Sequence, residues 1–148
     1  MSPSSRRRAV ASLALAAGAA GAPTLQGVTV LLVDDDPAVR APLARFLVRR
    51  GATVREAANG HEALAALEVA GCDLIVADLR MPGMDGVALF RALSERAPEL
   101  AGRTVFLSGD VSQLGDLQVG IEPDRVLPKP VELAEFERFL LQHLHALP

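Results

Sequence analysis

Short apolar runs alternate with segments of helical period along most of the chain, and this alternation limits the possible folds more than any other feature. Val28-Thr-Val-Leu-Leu-Val33 is a continuous apolar run that stops abruptly at Asp34-Asp35-Asp36-Pro37, the pattern of a strand buried on both faces. Pro37 can open a helix with Asp36 as its cap. Val39, Leu43, Phe46 and Leu47 then recur at helical spacing up to Gly51, and Pro42 is expected to kink that helix or delay its start. Thr53–Ala57 reads as a short second strand, and Asn59-Gly60 turns the chain into a helix carrying Ala63, Leu64 and Leu67 that stops near Gly71. Cys72–Asp78 is a third strand, followed by a proline- and glycine-bearing loop, Leu79–Gly86, and a helix with Val87, Phe90 and Leu93 running to about Arg96. Thr104–Leu107 and Arg125–Leu127 are the fourth and fifth strands, and the last helix carries Leu133, Phe136, Leu140 and Leu144. Periodicity is weakest between Asp110 and Asp124, where a short or mobile helix is expected. Alternation of this kind predicts an α/β fold, a parallel sheet with helices on both faces.

Composition narrows the function classes. A chain of 148 residues suits one domain with a single core. Half the residues are hydrophobic and 22% are charged, which excludes a wholly disordered chain. A net charge of −3 argues against a general nucleic-acid binder. Cys72 is the only cysteine, so neither an intrachain disulfide nor a thiolate zinc cluster can form. With five Phe and no Trp or Tyr, stacking platforms for bases or sugars are not expected.

In a parallel sheet, ligands bind beyond the carboxyl ends of the strands. The first strand ends at Asp34 and Asp35, the third at Asp78, the fourth at Ser108, and the fifth leads into Lys129. Lys129 is the one lysine among fifteen basic residues, and a lysine is a compact point charge rather than a guanidinium fork. Two carboxylates about 4 Å apart repel by roughly 4 kcal/mol at an effective dielectric of 20. Either protons or a cation must relieve that repulsion; a hard divalent ion with oxygen ligands is the natural partner and would leave room for a phosphoryl group beside Asp78. The Asp78 carboxylate could attack an activated phosphorus, with the cation, Lys129 and Ser108 meeting the equatorial oxygens.

Four stretches together, Val-Leu-Leu-Val-Asp34-Asp35-Asp36-Pro37, Asp73-Leu-Ile-Val-Ala-Asp78-Leu-Arg-Met-Pro82-Gly-Met-Asp-Gly86, Phe-Leu-Ser108-Gly109 and Leu-Pro-Lys129-Pro130, resemble the receiver domain of bacterial response regulators over residues 27–148. The resemblance implies a doubly wound five-stranded parallel sheet in the order 2-1-3-4-5. It implies that Asp78 accepts the phosphoryl group, that Asp35 binds Mg²⁺ directly and Asp34 mostly through water, and that the backbone carbonyl of Arg80 completes the protein ligands. Ser108 would bind a phosphoryl oxygen and draw its loop inward, Lys129 would pair with the phosphate, and the Lys129–Pro130 bond would be cis. Small Gly109 would leave room for the phosphoryl group. Two departures stand out. Val126 occupies the place where the family commonly carries an aromatic switch residue, and Arg80 and Asp110 flank the pocket mouth, where a pair between them would hinder the hydrolytic water.

Other residues have plainer readings. Asp36 is expected to be a helix cap and Asp85 to serve the turn with Gly86. Met81 and Met84 would shape and shield the loop, Cys72 is read as an inert buried residue, and Phe136 and Phe139 as core and rim. His61, His143 and His145 are expected on solvated helix surfaces. No Gly-x4-Gly-Lys loop is present, and the chain is read as a switch and not an enzyme.

Residues 1–26 differ in texture. Arg6-Arg7-Arg8 followed by an Ala/Gly-rich run to Ala22 has the outline of an export signal, but the composition of the run and Pro23 favour a flexible tail, and it is too short for a membrane span. The expected partners are a histidine kinase or histidine phosphotransfer protein upstream, and a downstream protein that reads the 110–148 face, with no nucleic acid and a cytoplasmic location. No output domain is expected after the last helix, and the chain is expected to be a monomer or weak dimer. Alternatives are the terminal receiver of a hybrid kinase system and a non-phosphorylated interaction module.

Overall fold

The structure, a computed structural model, describes residues 24–109 and 120–146. Five strands, β1 (Thr29–Val33), β2 (Thr53–Ala57), β3 (Leu74–Asp78), β4 (Thr104–Ser108) and β5 (Val126–Pro128), form one sheet in the order β2-β1-β3-β4-β5. Every pairing is parallel. The expected doubly wound sheet is therefore present with its expected strand order. The helices are α1 (Pro37–Arg49), α2 (Gly60–Val69), α3 (Gly86–Arg96), the single turn α4 (Pro98–Ala101) and α5 (Leu133–Ala146).

Strand side chains alternate between two cores. Val30, Leu32, Leu74, Val76, Val105 and Leu107 pack with Leu43 and Leu47 of α1 and Phe136 and Leu140 of α5. Leu31, Val33, Ile75, Ala77 and Phe106 pack on the other face with Ala63 of α2 and Leu89 and Leu93 of α3. Both β3 and β4 are buried at all five positions, which is why they read as unbroken apolar runs and not as alternating ones.

Register brings the strand ends level. Val33 pairs with both Ala57 and Ala77, Asp78 with Leu107, and Ser108 with Pro128. The residues that follow or close β1, β3, β4 and β5 thus share one edge of the sheet. Glycine makes the approach of α3 to that edge possible: a Cβ at Gly86 would lie 2.4 Å from the Asp78 carbonyl oxygen.

Several local expectations need correction. Helix α1 starts at Pro37 without delay, because the Asp36 carboxylate accepts the Ala38 amide and Pro37 needs no partner for a missing N–H. Pro42 is accommodated inside it. The third strand begins at Leu74, two residues after Cys72. Arg125 ends a 3-10 turn (Pro123–Arg125) and does not start β5. Its guanidinium instead donates to the carbonyls of Ala101, Gly102 and Thr104. Arg55 does the same for the end of α2, donating to the carbonyls of Ala66, Ala70 and Gly71. Such clamps satisfy carbonyls that a helix end leaves orphaned. Among the described residues, no helix is long and apolar enough to cross a membrane.

Candidate functional site

Asp34 follows β1 directly and is 1% exposed. Its carboxylate accepts the Asp36 amide at 2.9 Å on Oδ1 and the Lys129 ammonium at 3.3 Å on Oδ2. Asp78 closes β3. Its Oδ1 accepts the Arg80 amide at 3.2 Å, and its Oδ2 accepts Lys129 Nζ at 2.8 Å. Asp35 is exposed, and its carboxylate has no hydrogen-bond donor among the described residues. One oxygen from each of Asp34, Asp35 and Asp78 lies within 4.8 Å of the others.

Lys129 reaches this cluster because its own amide donates to the Ser108 carbonyl at 2.8 Å, continuing the β4–β5 ladder past Pro128. The Lys129–Pro130 bond is cis, as expected. Burial works against the lysine's charge, yet the hydrogen bonds and charges of Asp78 and Asp34 outweigh it and hold the ammonium above its ordinary 10.5. Burial also pushes the Asp34 carboxyl above 3.8, against the opposing pull of the Asp36 amide and Lys129. One ammonium faces three carboxylates, so the cluster keeps negative charge and favours a cation. The donors are all oxygens, and Asp35 is exposed, which fits a hard divalent ion.

Ser108 is buried at the end of β4, and Gly109 is exposed, with open space around a Cβ built on it. Arg80 is exposed two residues beyond Asp78. Asp110 lies outside the described residues, as do the Arg80–Asp110 pair and segment 110–119. Val126 is buried in the second core opposite Phe106. An apolar groove of about 660 Å³ runs between α1 and the β5–α5 turn, walled by Val39, Pro42, Leu43, Val131 and Leu133 together with Lys129.

The plainer readings divide. Asp36 caps α1, and Met81 is buried beside the loop it belongs to. Cys72 is buried, and its thiol is pushed up to about 11, first by desolvation and then by the Asp73 charge. Asp85 does more than serve a turn: it is the N-cap of α3, accepting the Ala88 amide at 2.9 Å. His143 is half-buried, not solvated, with Nδ1 2.9 Å from the Phe139 carbonyl oxygen and its ring 4.5 Å from that of Phe139. The four-residue spacing of Phe139 and His143 was the available signal. Arg40 and Glu56, which meet beside Asp34, had no such signal.

The profile of the response regulator receiver domain matches residues 30–140. The chain belongs to that family. Receiver domains serve phosphorylation-based two-component signalling. This one is 40% identical over 115 residues to the sensor kinase CckA of Brucella abortus, covering 72% of this chain and 11% of the kinase. It is 37% identical over 112 residues to the DNA-binding transcriptional regulator NtrC of Salmonella typhimurium, covering 75% of this chain and 24% of NtrC. The receiver chain thus spans between a tenth and a quarter of the length of these relatives. Among solved structures, a response regulator receiver protein from Sinorhizobium medicae superposes with a TM-score of 0.70 at 28% identity, covering 82% of this chain and 97% of that one. The receiver domain of a signal transduction histidine kinase from Syntrophus aciditrophicus gives 0.69 at 27% identity, covering 81% and 92%.

Proposed function

We propose that this receiver domain takes a phosphoryl group onto Asp78 from the phosphohistidine of a histidine kinase or phosphotransfer protein, in the presence of Mg²⁺. The observation that carries the reading is the convergence of Lys129, Asp34 and Asp78 within hydrogen-bond distance, with Asp35 beside them. Asp34, Asp35, Asp78 and the Arg80 carbonyl would hold the ion. Mg²⁺, when bound, supplies positive charge against the phosphoryl oxygens and the nucleophile. An Asp78 oxygen attacks phosphorus, the new P–O bond forms as the donor's P–N bond breaks, and the imidazole leaves with its electron pair. Lys129 transfers its contact from Asp78 to a phosphoryl oxygen, and the Ser108 hydroxyl meets another. The apolar groove bordered by Lys129 would seat the donor's phosphohistidine-bearing helix.

Phosphorylation would add about −1.5 to −2 charge and shift the balance of two conformations of the 110–148 face, read by a downstream protein. Phosphodonors of this kind place the domain in the cytoplasm, with no nucleic-acid contact of its own, as a monomer or weak dimer that catalyses only its own phosphorylation and dephosphorylation. A second reading, the terminal receiver of a hybrid kinase, is favoured by the match to one segment of a much longer sensor kinase.

The test is incubation with Mg²⁺ and acetyl phosphate. A base-labile adduct on the wild type and none on Asp78→Ala supports the reading. An unmodified wild type that binds no divalent cation leaves a non-phosphorylated interaction module in its place.

A further inference from the structure

Arg40 stands in the first turns of α1, outside the cluster of carboxylates, yet its guanidinium reaches back over the β1–α1 turn. Nη1 donates to the Asp34 carbonyl oxygen at 2.5 Å, and Nε donates to Glu56 Oε1 at 3.0 Å. Glu56 belongs to β2, and its neighbour Ala57 accepts the Asp34 amide at 3.1 Å. With the Asp36 amide on Oδ1 and Lys129 on Oδ2, every polar atom of Asp34 is held by protein.

Asp35 is the reverse case. It is exposed, and no protein donor among the described residues orients its carboxylate. Only the backbone aims it. The Asp34 carbonyl and the Asp35 amide share one rigid peptide plane. That plane sets φ of Asp35, so a hydrogen bond that holds the Asp34 oxygen restricts the directions in which the Asp35 side chain can leave the backbone.

We propose that Arg40 is a positioning residue for the divalent cation: pinned to Glu56, it holds the Asp34–Asp35 peptide in the orientation that presents Asp35 as a ligand. This rests on the proposed metal-dependent function and extends it to a residue outside the acidic cluster. Stability is not the main product of the contact. The Arg40 and Glu56 side chains are 20% and 46% exposed, and exposed ion pairs contribute little. Charge predicts the opposite effect from positioning. A guanidinium near a cation site opposes the cation, so on charge alone, removing Arg40 would tighten metal binding. Positioning predicts that removing it weakens binding. The fork matters too, because Nε and Nη1 reach two acceptors from separate nitrogens of one rigid plane, a geometry the single nitrogen of a lysine does not reproduce.

The probe is Mn²⁺ binding to the full chain, read by electron paramagnetic resonance, with thermal unfolding measured in parallel. Arg40→Ala and Arg40→Lys should each weaken Mn²⁺ by roughly tenfold, the range for groups that orient metal ligands. Arg40→Gln, which keeps a donor without the charge, should recover part of the loss. Glu56→Ala should weaken Mn²⁺ several-fold and serves as a second arm if an Arg40 variant does not fold. Unchanged or tightened Mn²⁺ binding in folded Arg40→Ala overturns the assignment, including the case where only the unfolding temperature falls. If Asp35→Asn abolishes binding while Arg40→Ala keeps it, the metal site stands and this role for Arg40 does not. A wild type that binds no Mn²⁺ overturns both.

Discussion

The ammonium of Lys129 lies 2.8 Å from Asp78 Oδ2, so without a metal the residue proposed to accept the phosphoryl group is already paired with the chain's single lysine. That contact spans 51 residues of sequence and crosses from β5 to β3, over the end of β4. It stabilises the cluster and also occupies the nucleophile.

Removing Lys129 should therefore have two separable effects. Lys129→Ala leaves buried Asp34 and Asp78 without their charged donor, and urea unfolding should show a loss of about 1.5–3 kcal/mol, the range for hydrogen bonds to charged groups. Added Mg²⁺ should restore part of the stability but not the rate of phosphorylation by acetyl phosphate. A variant that phosphorylates at the wild-type rate would remove Lys129 from the chemistry.

The raised Asp34 carboxyl makes metal binding sensitive to acid. Burial is the first cause of the shift, and the folded value lies above 3.8. A group raised on folding contributes stability that is present below its unfolded pKa and lost as pH rises through the folded one. Protonated Asp34 thus favours the metal-free fold, and a cation must displace that proton. As pH falls, Mn²⁺ affinity should drop at a pH above that of an ordinary aspartate, and the drop should shrink in Asp34→Asn. Titration of Mn²⁺ binding between pH 3.5 and 7, for the wild type and Asp34→Asn side by side, checks this.

Gly86→Ala should disturb the site from behind. The added methyl would stand 2.4 Å from the Asp78 carbonyl oxygen and 3.1 Å from Leu79 Cα, which are backbone atoms that cannot rotate away. The expected cost is about 1–3 kcal/mol of stability, as for overpacked cores, with slowed phosphorylation as Asp78 shifts. Equal stability by chemical denaturation would show that α3 moves freely on the sheet edge.

Cys72 should be silent toward thiol reagents while the protein is folded. Its thiol sits at about 11 against an ordinary 9.0, so at pH 8 almost no thiolate forms, and the group is 3% exposed. A chromogenic disulfide should react with the single thiol only after denaturant is added. The same shift lowers stability as pH rises from 9 towards 11, because the unfolded thiol loses its proton first. Rapid labelling of the native protein would contradict this burial.

Hydrophobic periodicity and capping chemistry are local properties, so the linear chain determined most of the architecture. The buried runs at β1, β3 and β4, the Asp36 cap, and the placing of Asp34, Asp78, Ser108 and Lys129 at strand ends can all be read without coordinates. Tertiary structure decided what depends on the reach of long side chains between distant segments. The Arg55 and Arg125 clamps, the Asp34 carbonyl held by Arg40, and the choice of Asp78 over Asp34 as the closer partner of Lys129 all depend on how the strands and helices are aligned. The single turn α4 and the Asp85 cap escaped for a related reason, since four residues carry too little pattern to read and a cap is chosen by where the next helix docks. A strand end can be found from its sequence; which groups meet above it is set by how the neighbouring strands are aligned.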